Sequence, residues 1–175
     1  NQYNAFVSIM RGCDNYCSYC IVPYVRGREF SRTVTDIVDE VKKLADDGCK
    51  EITLLGQNVN SYGKGLNGQV TLATLLRELD PISGIERIHF ITSHPKDMTI
   101  EILEAVGELS RVCEYLHMPV QSGSDRILKK MKRQYTSAHY RELVEMAKST
   151  VPGIKIASDF IVGFPGETEE DFQDT

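Results

Sequence analysis

Three cysteines near the start of the chain, Cys13, Cys17 and Cys20, are the residues best suited to chemistry. Zinc sites and ferredoxin-type clusters generally use four protein ligands, and the sequence contains neither a second Cys-x2-Cys pair nor a His-x3-His pair. Three thiolates can hold three irons of a 4Fe-4S cube and leave the fourth iron open to a small ligand. The spacing therefore favours a cluster that binds and reduces a substrate.

The two remaining cysteines, Cys49 and Cys113, are poor candidates for a fourth ligand. Each precedes a predicted strand, which places it at the opposite end of the fold from the other three. The residues alone leave three other interpretations open. The cysteines could be buried or incidental, they could hold zinc in a scaffold, or they could belong to an iron–sulfur electron carrier with a full ligand set.

Composition describes a globular domain with an ordinary core. The chain has 175 residues, of which 41% are hydrophobic and 26% are charged. A net charge of −5 argues against a self-sufficient nucleic-acid binder, which usually carries a surplus of Lys and Arg. No apolar run is long enough to span a membrane, and no signal peptide is evident. Clustered thiols without export signals predict a cytoplasmic protein and no membrane partner.

Short apolar runs alternate with helical patterns along the chain, which is typical of strand–helix units around a parallel sheet. The runs predict five strands, at residues 5–10, 52–55, 87–91, 115–118 and 155–162. Five strands with helical crossovers make an α/β fold of the open, partial-barrel type, because a closed eight-strand barrel needs roughly 250 residues. The loops that leave the carboxyl ends of such strands carry function, and the cysteines lie in the first of them.

Five segments resemble one known family. They are MRGCDNYCSYCIVPYVRGREFSR (10–32), LLGQNVNSYG (54–63), SHP (93–95), LHMPVQSGSDRILKKMKRQY (116–135) and DFIVGFPGETEEDF (159–172). Together they resemble the radical S-adenosylmethionine (SAM) superfamily and, within it, the methylthiotransferases. The segments MRGCDNYC and GQNVNSYG are most similar to the tRNA branch, which methylthiolates isopentenyladenosine beside the anticodon. The resemblance implies a (β/α)6-type open barrel, here truncated to about five strands.

The resemblance also implies cofactors and partners. Cys13, Cys17 and Cys20 would ligate a 4Fe-4S cluster whose open iron chelates the amino and carboxylate groups of SAM. An electron from a reducing protein would then cleave SAM to methionine and a deoxyadenosyl radical, which takes hydrogen from carbon 2 of the adenine. Residues 1–175 would be the core domain alone. We expect an N-terminal domain with a second 4Fe-4S cluster and a C-terminal RNA-binding domain outside it, which make most contacts with the tRNA anticodon stem-loop. Without them the core would bind cofactor but not complete methylthiolation.

Seven residues in the loops and the last strand are predicted to contact SAM, although ordinary turns and helix caps are competing interpretations for them. The second loop would grip the amino group of SAM, the fourth would hydrogen-bond its ribose, and the last strand would pack on its adenine. The residues are Gly56, Gln57, Asn58, Ser93, Gln121, Ser122 and Asp159. His94 is predicted to be a structural hydrogen-bonding residue rather than a proton donor.

Other functions stay open at this stage. A methylthiotransferase could instead modify an aspartate of a ribosomal protein, or threonylcarbamoyl-adenosine in tRNA. An iron–sulfur electron carrier is the non-enzymatic alternative. Lys129, Lys130, Lys132 and Arg133 form a basic stretch that is interpreted either as a solvated face or as a contact for phosphate or for the carboxylate of SAM.

Overall fold

The computed structural model describes residues 3–175. The strands are β1 (Asn4–Ser8), β2 (Met10–Arg11), β3 (Phe30–Ser31), β4 (Glu51–Leu55), β5 (Arg87–Phe90), β6 (Tyr115–His117) and β7 (Lys155–Ala157). The helices are α1 (Val22–Arg26), α2 (Val34–Asp46), α3 (Leu72–Leu79), α4 (Ile100–Glu108), α5 (Asp125–Lys130), α6 (Ser137–Thr150) and α7 (Glu169–Asp174). Two short 3-10 helices occupy Val59–Ser61 and Pro95–Asp97.

Five parallel strands form the curved wall of the fold. β1 pairs with β4, and β4 pairs with β5, in a register that aligns Ala5, Ile52 and Ile88. β6 pairs with β7 in the same direction. A parallel bridge between Ile88 and Val112 joins the two groups, so the strand order is β1-β4-β5-β6-β7. Among residues 3–175 the two outer strands, β1 and β7, do not pair, and the barrel stays open.

Alternation along the strands produces the core. In β1 and β4 every second residue is buried, and β5 continues the pattern. The buried residues, such as Val7, Ile52 and Ile88, face the helices, and successive side chains of a strand point to opposite faces. The helices α2, α3, α4 and α6 lie side by side on this face, and the other face of the strands lines the barrel interior.

Threonine caps explain where most helices begin. Thr33 accepts a hydrogen bond from the backbone nitrogen of Asp36 at 3.2 Å at the start of α2. Thr71 and Thr74 form a reciprocal capping box at α3, and Thr168 does the same with Asp171 at α7. Each cap satisfies backbone N–H groups that the first helical turn leaves free.

The predicted α/β open barrel of five parallel strands is confirmed, with two differences in detail. The last strand is shorter than residues 155–162, because its regular pairing ends at Ala157 and resumes only in a bridge between Gln121 and Phe160. The cysteine loop also has structure that the sequence analysis missed, namely α1 and the short antiparallel ladder of β2 and β3. Within the described residues no helix has the length and apolar character needed to cross a membrane.

Candidate functional site

The loop that carries the three cysteines is closed at its base. The β2–β3 ladder pairs Met10 with Ser31, and the backbone nitrogen of Cys13 donates to the carbonyl of Gly27 at 3.2 Å. Gly12 makes this approach possible, because its φ is +76° and a Cβ there would lie 2.0 Å from the carbonyl oxygen of Arg28. The ladder and the glycine fold the cysteine loop back over the carboxyl ends of the parallel strands.

The three cysteines line one cleft that opens to solvent. Loops from the ends of β4, β5 and β6 complete its walls and contribute Gln57, Ser93 and Gln121. The structure thus brings three of the seven predicted SAM contacts together with the three predicted cluster ligands.

Four buried polar atoms around this cleft have no hydrogen-bond partner within the part of the chain that the structure describes. They are the side-chain atoms Nδ2 of Asn15, Oε1 of Gln57, Oγ of Ser93 and Nε2 of His94, and all four residues line the cleft. A buried polar group without a partner costs about 1–3 kcal/mol, so native proteins rarely keep one without a reason. Four together are the expected signature of a polar ligand that would satisfy them.

His94 is held neutral in a defined orientation. Its Nδ1 accepts from the backbone nitrogen of Lys96 at 3.2 Å, which leaves the proton on Nε2, the atom without a partner. Burial, with a further contribution from the positive charge of Arg133, lowers the pKa of His94 to about 3. His94 is therefore a neutral N–H donor at the cleft rather than a proton-transfer group at neutral pH.

The backbone around the cleft is strained. Among residues 3–175, five non-glycine residues have a positive φ, from 49° to 73°, and all of them lie in loops that border the cleft: Tyr16, Thr92, Gln121, Lys132 and Gln134. Thr92 is the least expected of these, since β-branched residues strongly avoid this region. Strain of this kind costs about 1–3 kcal/mol per residue and is concentrated at functional sites.

The donor set fits a cubane cluster better than a single ion. Residues 3–175 contain no group of three or more His, Cys, Asp or Glu side chains placed to hold one metal ion. In a cubane each thiolate binds a different iron, so the sulfurs surround a cavity rather than converge on a point. Burial raises the pKa of the Cys13 thiol, which a bound metal would reverse, because thiol ligands bind deprotonated.

The other four predicted SAM contacts lie outside the lining of the cleft. Gly56 packs so tightly that a Cβ would come within 2.5 Å of the Met10 side chain. Asn58 is fully buried and donates to Asp97 at 2.7 Å. The Ser122 hydroxyl is also buried and accepts from the backbone of Ser124 at 3.1 Å. The Asp159 carboxylate, 61% exposed, contacts Nε2 of His117 at 3.0 Å.

Sequence reasoning missed several residues of this site. Asn15 lies between Cys13 and Cys17, two of the predicted cluster ligands, and that position is its only signal in the sequence. Thr92 directly follows a strand, but no side-chain pattern in the sequence predicts its positive φ. Arg133 belongs to the basic stretch that is interpreted either as a solvated face or as a contact for phosphate or for the carboxylate of SAM. The structure buries it at 5% exposure beside Cys17, and its neighbours in sequence give no signal that it turns inward.

Comparisons with known proteins agree with this geometry. A family model described as the Radical SAM superfamily matches residues 7–175. The tRNA-2-methylthio-N(6)-dimethylallyladenosine synthase of Thermoanaerobacter pseudethanolicus is 60% identical over 100% of this chain, and that of Finegoldia magna is 57% identical over the same span. The chain covers 37% and 38% of these two relatives, so it spans little more than a third of their length.

A solved structure shows the same fold. It is a radical SAM methyltransferase from Kitasatospora setae with tryptophan and a SAM analogue bound, which matches with a TM-score of 0.76 at 21% identity over 96% of this chain and 32% of its own. At that identity the likeness concerns the fold alone. Because the family model spans nearly the whole sequence, this chain belongs to the radical SAM superfamily, and the predicted cofactor class, a 4Fe-4S cluster with SAM, is that of its family.

Proposed function

We propose that this chain is the radical SAM core of a tRNA methylthiotransferase, which installs a methylthio group on carbon 2 of isopentenyladenosine next to the anticodon. The observation that carries the proposal is the cleft, where three thiols and four unpartnered polar atoms face one space. Relatives of 57–60% identity support the proposed substrate, because their names specify the dimethylallyl (isopentenyl) adenosine of tRNA.

The residues of the cleft have complementary roles in this proposal. Cys13, Cys17 and Cys20 would hold the cluster, which together with SAM supplies the radical chemistry. The unpartnered Oε1 of Gln57 would accept from the ammonium group of SAM, and Ser93 and Gln121 would bind its other polar groups. Buried polar groups that gain partners only when the ligand is present favour the bound state.

The residues outside the cleft keep a proposed role in shaping the SAM site. Gly56 would let the backbone pass close to Met10, while Asn58 would hold the second loop to the third through Asp97. Ser122 would fix the turn that carries Gln121. Asp159 would reach SAM by changing its partner from His117.

Cofactor chemistry is tested by anaerobic reconstitution of the chain with iron and sulfide, followed by electron paramagnetic resonance of the reduced protein. We expect a 4Fe-4S signal that changes on adding SAM, together with formation of deoxyadenosine. A cluster signal indifferent to SAM would instead favour an electron carrier. Zinc uptake without any iron uptake would overturn the proposal.

The tRNA substrate is tested on the full-length protein, because this chain spans only part of its relatives. Further proposed features are an N-terminal domain with a second 4Fe-4S cluster, a C-terminal RNA-binding domain, a reducing electron-transfer partner and a cytoplasmic location. We expect methylthiolation of anticodon stem-loops that carry isopentenyladenosine. Turnover confined to threonylcarbamoyl-adenosine or to a ribosomal protein would assign the chain to another branch.

A further inference from the structure

Arg133 is a cation buried beside a predicted cluster ligand. The residue follows α5 in the sequence and is only 5% exposed. It lies between Lys132 and Gln134, whose φ angles of 58° and 60° are both left-handed. These two left-handed residues in one short turn direct the guanidinium inward, and non-glycine residues adopt that conformation only where the surrounding structure holds them in it.

Among residues 3–175, every hydrogen-bond partner of the Arg133 guanidinium is formally neutral. It donates to the carbonyl of Pro119 at 3.0 Å, the hydroxyl of Tyr135 at 2.9 Å and the hydroxyl of Tyr19 at 3.3 Å. Burial raises the pKa values of both tyrosines, so their hydroxyls stay protonated at neutral pH. Within residues 3–175 no Asp or Glu carboxylate forms an ion pair with Arg133.

A buried charge without a counter-ion is among the costliest features a protein can keep. The remaining contact of Arg133 identifies the missing anion. Its Nη1 lies 3.5 Å from Sγ of Cys17, which is a thiolate whenever it binds iron. The arginine also lines the cleft that all three cysteines share.

We propose that Arg133 is the counter-cation of the cysteine-bound cluster and makes that cluster easier to reduce. This inference rests on the proposed function, because it assumes a 4Fe-4S cluster on Cys13, Cys17 and Cys20. In the step concerned, the 2+ cluster takes one electron from a low-potential one-electron donor and becomes the 1+ cluster, with no bond made or broken and no proton moved. The complex gains one negative charge, and a nearby fixed positive charge stabilises the reduced form. Hydrogen bonds to cluster sulfurs and local charge are the usual means by which a protein sets such potentials.

The test is a reductive titration with dithionite and mediators on the reconstituted chain without SAM, followed by electron paramagnetic resonance. Arg133→Gln removes the charge, and Arg133→Lys keeps it while losing the forked hydrogen bonds. Arg141→Gln, on the exposed face of α6, removes the same charge away from the cleft. We expect the equilibrium constant for reduction to fall about tenfold in Arg133→Gln, which is about 59 mV for one electron. The Lys and Arg141 variants should stay within about threefold of wild type.

Each outcome of the titration decides something distinct. Equal falls in the Gln and Lys variants would overturn the charge role and leave Arg133 as a packing residue. If Arg133→Gln fails to fold, as judged by circular dichroism, the Lys variant alone decides, because a tenfold fall in it also overturns the inference. An unchanged potential with weakened SAM binding would overturn it in favour of a cofactor-carboxylate contact. Failure of the wild-type chain to form any cluster would instead count against the proposed function.

Discussion

Chemically similar side chains lie at both ends of the strands, but the two ends differ in hydrogen bonding and in backbone strain. At the carboxyl ends lies the cysteine cleft. At the amino ends lies a second group that we call the amino-end cluster, formed by Glu51, Arg87, His89 and Cys113. Within it Arg87 donates to Glu51 at 2.6 Å, and His89 contacts both Glu51, at 3.5 Å, and Cys113, at 3.4 Å.

The two ends of the strands differ in whether their polar side chains have hydrogen-bond partners. Each ionisable side chain of the amino-end cluster has a partner within the cluster, and none of its side-chain atoms is among the unpartnered buried atoms of the described chain. No non-glycine residue of residues 3–175 with a positive φ belongs to it either. The cysteine cleft has four unpartnered polar atoms and strained loops. Residue types alone therefore do not distinguish the cysteine cleft from the amino-end cluster. Unpartnered polar atoms and strained backbone do distinguish them.

The largest expected contrast concerns the cysteines themselves. Replacing any one of Cys13, Cys17 or Cys20 with Ala should abolish cluster assembly, because the missing thiolate leaves an iron without its protein ligand. Iron and sulfide analysis after reconstitution measures this directly. Cys49→Ala and Cys113→Ala are the matched controls and should keep full iron content. Loss of iron in either control would show that a cysteine at the amino ends of the strands also takes part in cluster assembly.

A second contrast concerns the pH dependence of stability. The pKa of His94 is about 3 in the folded chain and about 6.5 when unfolded, so the unfolded state binds the extra proton between these values. The stability due to neutral His94 is complete above pH 6.5 and is lost as the pH falls towards 3. Between pH 6.5 and 4.5 wild type should lose about 2 kcal/mol more than His94→Asn.

Urea unfolding at the two pH values measures this difference. The exposed His139 of α6 supplies the control, His139→Asn, which should lose stability in parallel with wild type. Parallel loss in His94→Asn as well would show that His94 is not held neutral in the cleft.

A third contrast concerns cofactor affinity. Gln57→Ala should weaken SAM binding about tenfold, which corresponds to about 1.4 kcal/mol, because it removes one hydrogen-bond acceptor from the ligand. Isothermal titration on the reconstituted chain provides the affinity, and iron content should not change. Gln69→Ala, at an exposed position of the same loop, should bind SAM like wild type. Unchanged affinity in Gln57→Ala would remove this residue from the site.

The smallest contrast concerns backbone strain. Thr92→Gly should raise the free energy of unfolding by about 0.5–1 kcal/mol, since glycine accepts a φ of 69° without the clash that threonine suffers. Thr53→Gly, in the regular strand β4, should lower it by about 1 kcal/mol. Urea titration of both variants measures these changes in the free energy of unfolding, and the m-values should stay unchanged. A loss of stability in both would mean that Thr92 is not strained.

Much of this arrangement was predictable from the sequence, because it depends on local patterns. Alternating apolar residues fix the strands, and threonine caps such as Thr33 fix helix starts. Spacing pointed to the three cysteines, and the resemblance to the family pointed to Gln57, which lines the same cleft. The helix α1 escaped prediction because it has only five residues and its N-cap residue, Ile21, offers no side-chain hydrogen bond.

The burial of Arg133 could not be predicted, for a different physical reason. Neighbouring lysines make its stretch resemble a solvated face, and its inward direction depends on two left-handed residues around it. Its partners Pro119, Tyr19 and Cys17 are distant in sequence. Long-range contacts of this kind leave no periodic signal, so only the three-dimensional structure reveals them.

The short ladder between β2 and β3 bears on the entropy of ligand binding at the cysteine loop. It joins the two ends of this loop, residues 12–29, through backbone pairing. Closing a loop costs chain entropy that grows with its length, and here the backbone pairing bears that cost. A ligand held by side chains of the loop therefore has less chain to order than it would have in an open segment, which favours binding.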